Sequence, residues 1–132
     1  MYIVLDPKSS RPIYEQIIHK VKEQVALGVA LPGDKVPSVR EMSSQLMVNP
    51  NTVSRAYREL EGMGIFVTMR GKGTFISDSF RAANQEEAKR RVQEKVKETV
   101  LDAIYGNVAK QTYKQWLDRY YKELGGGESH ED

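Results

Sequence analysis

The sequence predicts a mostly α-helical chain, with three helices and a β-hairpin in its first part and two further helices in its second. Three observations predict it. Two capped helix starts, Ser38-Val-Arg-Glu41 and Asn49-Pro50, stand one short helix apart. Two β-branched or aromatic segments flank Arg70-Gly-Lys-Gly73. Val92, Val96, Val100 and Ile104 line up along a stretch rich in Ala, Glu, Lys, Gln and Arg.

The first helix is expected over roughly 11–27. Ser10 can cap it, Pro12 suits the first turn, and Ile13, Ile17, Val21 and Val25 recur every four residues up to Gly28. Leu31-Pro-Gly-Asp-Lys-Val-Pro37 holds too many helix breakers to continue it. A tight connector is expected there, with a short strand at Lys35-Val36. Ser38 and Glu41 form a capping-box pattern that opens a second helix running to about Leu46. After Met47 and Val48, Asn49 caps and Pro50 begins a third helix, ended by Gly64. Two short helices joined by so tight a turn read as a helix-turn-helix. Ile65–Met69 and Thr74–Ser77 then form a hairpin around a four-residue glycine-rich loop, which is the position of a wing. The fold class is therefore an N-terminal winged helix-turn-helix over 1–78 and a helical tail over 79–124. The tail's long helix spans about 81–105, Gly106-Asn107 breaks it, and a second helix runs to about Leu124. Residues 125–132 are glycine-rich and acidic and are expected to be disordered.

Composition excludes several function classes. The 132 residues suit one small domain with an appendage, not two full domains. The absence of cysteine removes disulfides, thiolate metal sites and cysteine nucleophiles, and agrees with a reducing cytoplasm. Ile3-Val4-Leu5 is too short for a signal core, and no apolar run approaches the ~20 residues of a membrane span. A cytoplasmic protein with no membrane partner is expected. Two histidines, His19 within the first helix and His130 in the tail, suggest neither a triad nor a metal cluster. Arg70-Gly-Lys-Gly-Thr74 lacks the leading glycine of a phosphate loop and opens no helix. No catalysis, metal or cofactor is expected.

Net charge is only +2, and residues 1–78 carry ten basic against eight acidic side chains, so charge alone does not identify a partner. The third helix is more informative. At ~100° per residue, Val53, Ala56, Tyr57 and Leu60 share a packed side, while Asn51, Ser54, Arg55 and Arg58 share the other. Asn and Arg are the side chains whose paired hydrogen bonds match adenine and guanine edges in the major groove. The capped starts at Ser38 and Asn49 favour a nearby phosphate, as every helix N-terminus does. Arg40 suits either an ion pair with Glu41 or Asp34, or a contact at the groove edge. Arg70 and Lys72 make the hairpin tip basic, and its glycines permit close approach to a nucleic-acid backbone or minor groove. A winged helix that binds protein, or DNA without sequence preference, shares this fold, but the Asn51, Ser54 and Arg55 face favours specific reading.

Residues 11–77 resemble the DNA-binding domain of the GntR family of bacterial repressors, through RPIYEQI, LPGDKVPSVRE, NPNTVSRAYRELEGMGI and RGKGTFIS. The resemblance implies that Arg40, the start and exposed face of the third helix (Asn49, Asn51, Thr52, Ser54, Arg55, Arg58) and the wing tip Arg70-Gly71-Lys72 contact a double-stranded operator. Several relatives carry an extra arginine where this chain has Ser54, with Arg55 next to it. The short tail resembles the YtrA subfamily, whose tails pair two protomers and whose members regulate transporter operons. Independently, the stripe Val92, Val96, Val100 and Ile104 cannot be covered by one further helix alone. Pairing of two chains, with Tyr113, Trp116, Leu117 and Tyr120 as packing residues, is the economical solution. A two-fold homodimer implies a palindromic operator with half-sites about one helical turn apart. The 54 residues after position 78 are too few for a separate ligand domain. The place left for an unidentified small-molecule effector is a small pocket at the dimer seam.

Overall fold

The computed structural model describes residues 1–78 and 85–124, which lie in two compact units divided between Phe80 and Arg81. The expected acidic tail and the first turn of the long helix at 81–84 fall outside the described residues.

In the first unit, α1 (Ile13–Ala26), α2 (Val39–Leu46) and α3 (Pro50–Gly62) precede a hairpin of β1 (Phe66–Met69) and β2 (Gly73–Ile76). The repeat of four in α1 buries Ile17, Val21 and Val25 against α3, with Ile18 beside them. Ser10 does not cap α1. Pro12 occupies the cap position without a side-chain bond, and buried Gln16 ties down the lead-in instead. Its amide donates to the carbonyls of Arg11 (3.0 Å) and Asp6 (3.1 Å), and its Oε1 accepts from the Asp6 amide at 2.8 Å. A buried amide satisfied on three sides is stabilising where an unsatisfied one would be costly.

The capping box of α2 is complete, with the Glu41 amide donating to Ser38 Oγ at 3.0 Å and the Ser38 amide to Glu41 Oε1 at 2.8 Å. Met47 ends α2 in the left-handed region, at φ 58 and ψ 44, with its side chain 89% exposed. That conformation crowds the Cβ of any residue but glycine. Met47→Gly should therefore raise the unfolding free energy by about 0.5–1 kcal/mol, seen as a higher urea midpoint at constant slope.

The hairpin pairs Phe66 with Ile76, Val67 with Phe75, Thr68 with Thr74 and Met69 with Gly73. Gly73, at φ 120, thus belongs to the strand, and the loop is the three residues Arg70–Lys72, not four. The expected strand at Lys35-Val36 is present as one antiparallel bridge from Lys35 to Phe75. It is extended by the Val36 amide donating to the Thr74 carbonyl at 2.9 Å and the Ile76 amide to the Asp34 carbonyl at 2.8 Å. Val36 and Ile76 reach the core from this edge, and Ile3 joins it from the N-terminal segment.

In the second unit, α4 (Gln85–Tyr105) and α5 (Lys110–Glu123) are joined through Asn107, itself at φ 57. Thr99 and Tyr113 share a 2.5 Å hydroxyl hydrogen bond near the connection. None of the side chains described between 86 and 124 is buried.

Candidate nucleic-acid interface

The site begins with how α3 is held. Val53, Ala56, Tyr57 and Leu60 are all buried, as the 100° spacing requires, and this fixes which side of α3 meets solvent. Tyr57 is the principal anchor. Its hydroxyl donates to the Pro37 carbonyl at 2.7 Å, and its ring meets Phe66 edge to face at 5.0 Å, so one side chain joins α3 to the connector and to the wing. Burial, reinforced by the Glu41 carboxylate, pushes the phenol well above its ordinary range, so it stays protonated and keeps this bond.

On the opposite side, Asn51, Arg55 and Arg58 are exposed and Thr52 and Ser54 half-buried. Asn49 Oδ1 accepts from the Asn51 amide at 2.7 Å, which completes the N-cap. Arg58 Nη1 donates to Ser54 Oγ at 3.1 Å, so Ser54 orients a neighbouring guanidinium. Arg55 is held differently. Its guanidinium carbon lies 3.8 Å from the centre of the Tyr14 ring, its Nη2 donates to Tyr14 Oη at 3.1 Å, and its Nε faces Glu59 at 3.6 Å.

The two helix starts differ electrostatically. The first turn of α2 carries Glu41, which offsets the positive end of that helix, whereas the first turn of α3 carries no acidic residue. A phosphate is therefore more favourably placed at Asn49 than at Ser38. Arg40, in the first turn of α2, is exposed. Of its two expected carboxylate partners, Glu41 accepts from the Ser38 amide and Asp34 Oδ2 from the Leu31 amide at 2.9 Å, and Arg40 forms no ion pair among the described residues.

Arg70, Gly71 and Lys72 are all exposed at the hairpin tip, where Gly71 adopts φ 77 and the Lys72 amide closes the turn on the Met69 carbonyl at 2.9 Å. Sequence reasoning did not assign Lys35 to this group. A Cβ built on Gly73 would come within 2.9 Å of Lys35 Cε and 3.6 Å of its Nζ, so a third basic side chain lies across the base of the wing. The expected strand at Lys35-Val36 was the available signal. Tyr14 was missed for another reason: its partner stands 41 residues away, on a helix whose packing angle no local pattern encodes.

His19 is exposed, and its pKa is lowered mainly by partial burial and then by Arg11 and Lys22. No group of three or more metal-ligating side chains is present among the described residues, and no helix there is long and apolar enough to cross a membrane.

Comparison with known proteins agrees with this geometry. The profile of the family described as bacterial regulatory proteins, gntR family, matches residues 13–76. The HTH-type transcriptional repressor YtrA of Bacillus subtilis (strain 168) is 42% identical over 129 residues, 98% of this chain and 99% of that protein. Among solved structures, a transcriptional antiterminator from Listeria monocytogenes EGD-e superposes with TM-score 0.87 at 40% identity, over 100% of this chain and 98% of that one. AraR(DBD) in complex with operator ORX1 superposes with TM-score 0.51 at 25% identity, over 58% of this chain and 96% of that one.

Proposed function

Since the chain belongs to the GntR family of bacterial regulatory proteins and is YtrA-like along nearly its whole length, we propose that it is a cytoplasmic repressor that binds a palindromic operator as a homodimer. Residues 1–78 read the DNA and residues 79–124 pair the protomers. The observation that carries the reading is the face of α3, where Asn51, Arg55 and Arg58 stand exposed opposite a fully buried side. Hydrogen-bonding forks on a rigidly seated helix are what base-edge recognition requires. Lys35, Arg70 and Lys72 at the wing supply the charge that holds phosphate. The operator complex of AraR(DBD) and the repressor name of YtrA support the same assignment. Pairing is supported by the apolar side chains of α4 and α5, among them Val92, Ile104, Leu117 and Tyr120, which a single chain leaves exposed. The subfamily resemblance supports a transporter operon as the regulated unit and leaves the dimer seam as the place for an effector.

The test is binding of the full chain to the DNA upstream of its own gene and to a scrambled duplex, across a salt series. A preference of about 10³-fold or more at physiological salt is expected, and equal affinity for both would overturn specific recognition. Arg55→Ala should cost about 1–3 kcal/mol on the preferred duplex and little on the scrambled one. Lys72→Ala should weaken both alike and flatten the salt slope by about one. Identical losses from the two variants would refute this division of roles.

A further inference from the structure

Of the two arginines on the exposed side of α3, Arg58 is bonded to Ser54 of its own helix, whereas Arg55 is held by a residue of α1. The Arg55–Glu59 pair has both partners about half exposed and 3.6 Å apart, a geometry that in water orders little. The Tyr14 contact is of another kind. Its ring is half-buried and packed against the core, so it presents a fixed plane, and the guanidinium lies 3.8 Å above it. The phenol donates to Glu15 Oε2 at 3.3 Å, which commits its proton and leaves a lone pair for Arg55 Nη2 at 3.1 Å. Nη2 is committed to Tyr14 and Nε faces Glu59 beyond hydrogen-bond distance, so the Nη1 edge is the one with neither a hydrogen bond nor an ion pair among the described residues. The side chain is thus ordered before any ligand arrives, with one donor edge free.

We propose that Tyr14 is a positioning residue for operator recognition, which stacks the Arg55 guanidinium on the exposed side of α3 and thereby sets sequence discrimination. The proposal rests on the reading of that side as the base-reading surface. Ordering Arg55 in the free protein removes part of the entropy lost when it docks on a base edge, a gain realised only on sequences where the fork finds its partners. Tyr14 makes this contribution without touching DNA.

The experiment uses the full chain and a duplex enriched by the wild-type protein from a random-sequence pool, with its scrambled counterpart as reference. Tyr14→Leu removes the ring and keeps a smaller apolar side chain, and Tyr14→Phe keeps the ring and loses the hydroxyl. Tyr14→Leu is expected to lower the ratio of the two affinities by roughly three- to tenfold, Tyr14→Phe by less, and Tyr14→Leu added to Arg55→Ala by no more than Arg55→Ala alone. In the free protein, the Arg55 Nε–H resonance should carry a ring-current shift that survives Tyr14→Phe and vanishes in Tyr14→Leu. Equal loss on both duplexes, or additive loss in the double variant, would overturn the proposal while leaving the base-reading surface intact. Arg55→Ala without effect on the ratio would overturn both.

Discussion

The double variant Val96→Glu/Val100→Glu should be monomeric by light scattering and should bind operator on the order of 10²–10⁴-fold more weakly than wild type, the factor lost when two linked half-site contacts become independent. Both valines are more than a third exposed in the single chain, at 43% and 39%. Glutamate is a good helix former, so α4 should persist, with circular dichroism unchanged at low concentration. What changes is the cost of bringing two stripes together, because four carboxylates would have to leave water without partners. A shortened chain ending at Ser77 provides the complementary arm. The first unit has its own core from Ile3 to Ile76, so this fragment should stay folded and retain weak, salt-sensitive DNA binding as a monomer. A persistent dimer in the glutamate variant would place the pairing surface elsewhere.

The second large effect concerns stability. Leu60→Ala should cost about 2–5 kcal/mol, enough to lower the melting temperature of the DNA-binding unit by roughly 10 °C or more. Leu60 is completely buried, among the core residues Ile17, Val21, Met42, Val53 and Ile76. Its removal leaves a cavity at the level where α3 is seated, so operator binding should fall with the folded fraction at 37 °C and recover on cooling. Arg58→Ala, on the exposed side of the same helix, should shift the melting temperature by little. A small effect from Leu60→Ala would mean that the neighbouring side chains close the gap.

Much of this was legible in the order of residues, because the relevant physics is local. Ser38 with Glu41, and Asn49 with Pro50, place helix starts through hydrogen bonds that span two or three residues. The 100° advance along α3 assigns Val53, Ala56, Tyr57 and Leu60 to the core and thereby leaves Asn51, Arg55 and Arg58 to solvent. The same reasoning gave the wing and its basic tip, and the family resemblance pointed to the same elements. It erred where two local solutions competed. Ser10 offered a cap to α1, but the Gln16 amide, reaching back from inside the helix, satisfies the lead-in more completely. Gly73 suits a loop by composition, but its wide φ range also lets it pair with Met69, and the pairing prevails.

By itself the sequence determined the element order, the capped starts, the sidedness of α3 and the basic hairpin, each set by interactions spanning a few residues. Tertiary structure alone decided that Tyr14 lies beneath Arg55, that Lys35 crosses the base of the wing, and that Tyr57 joins α3 to the connector and to Phe66. Those contacts depend on the angle and distance at which helices and strands pack. That geometry is fixed by the summed fit of the whole core, in which Ile3, Ile17, Met42, Leu60 and Ile76 each take part.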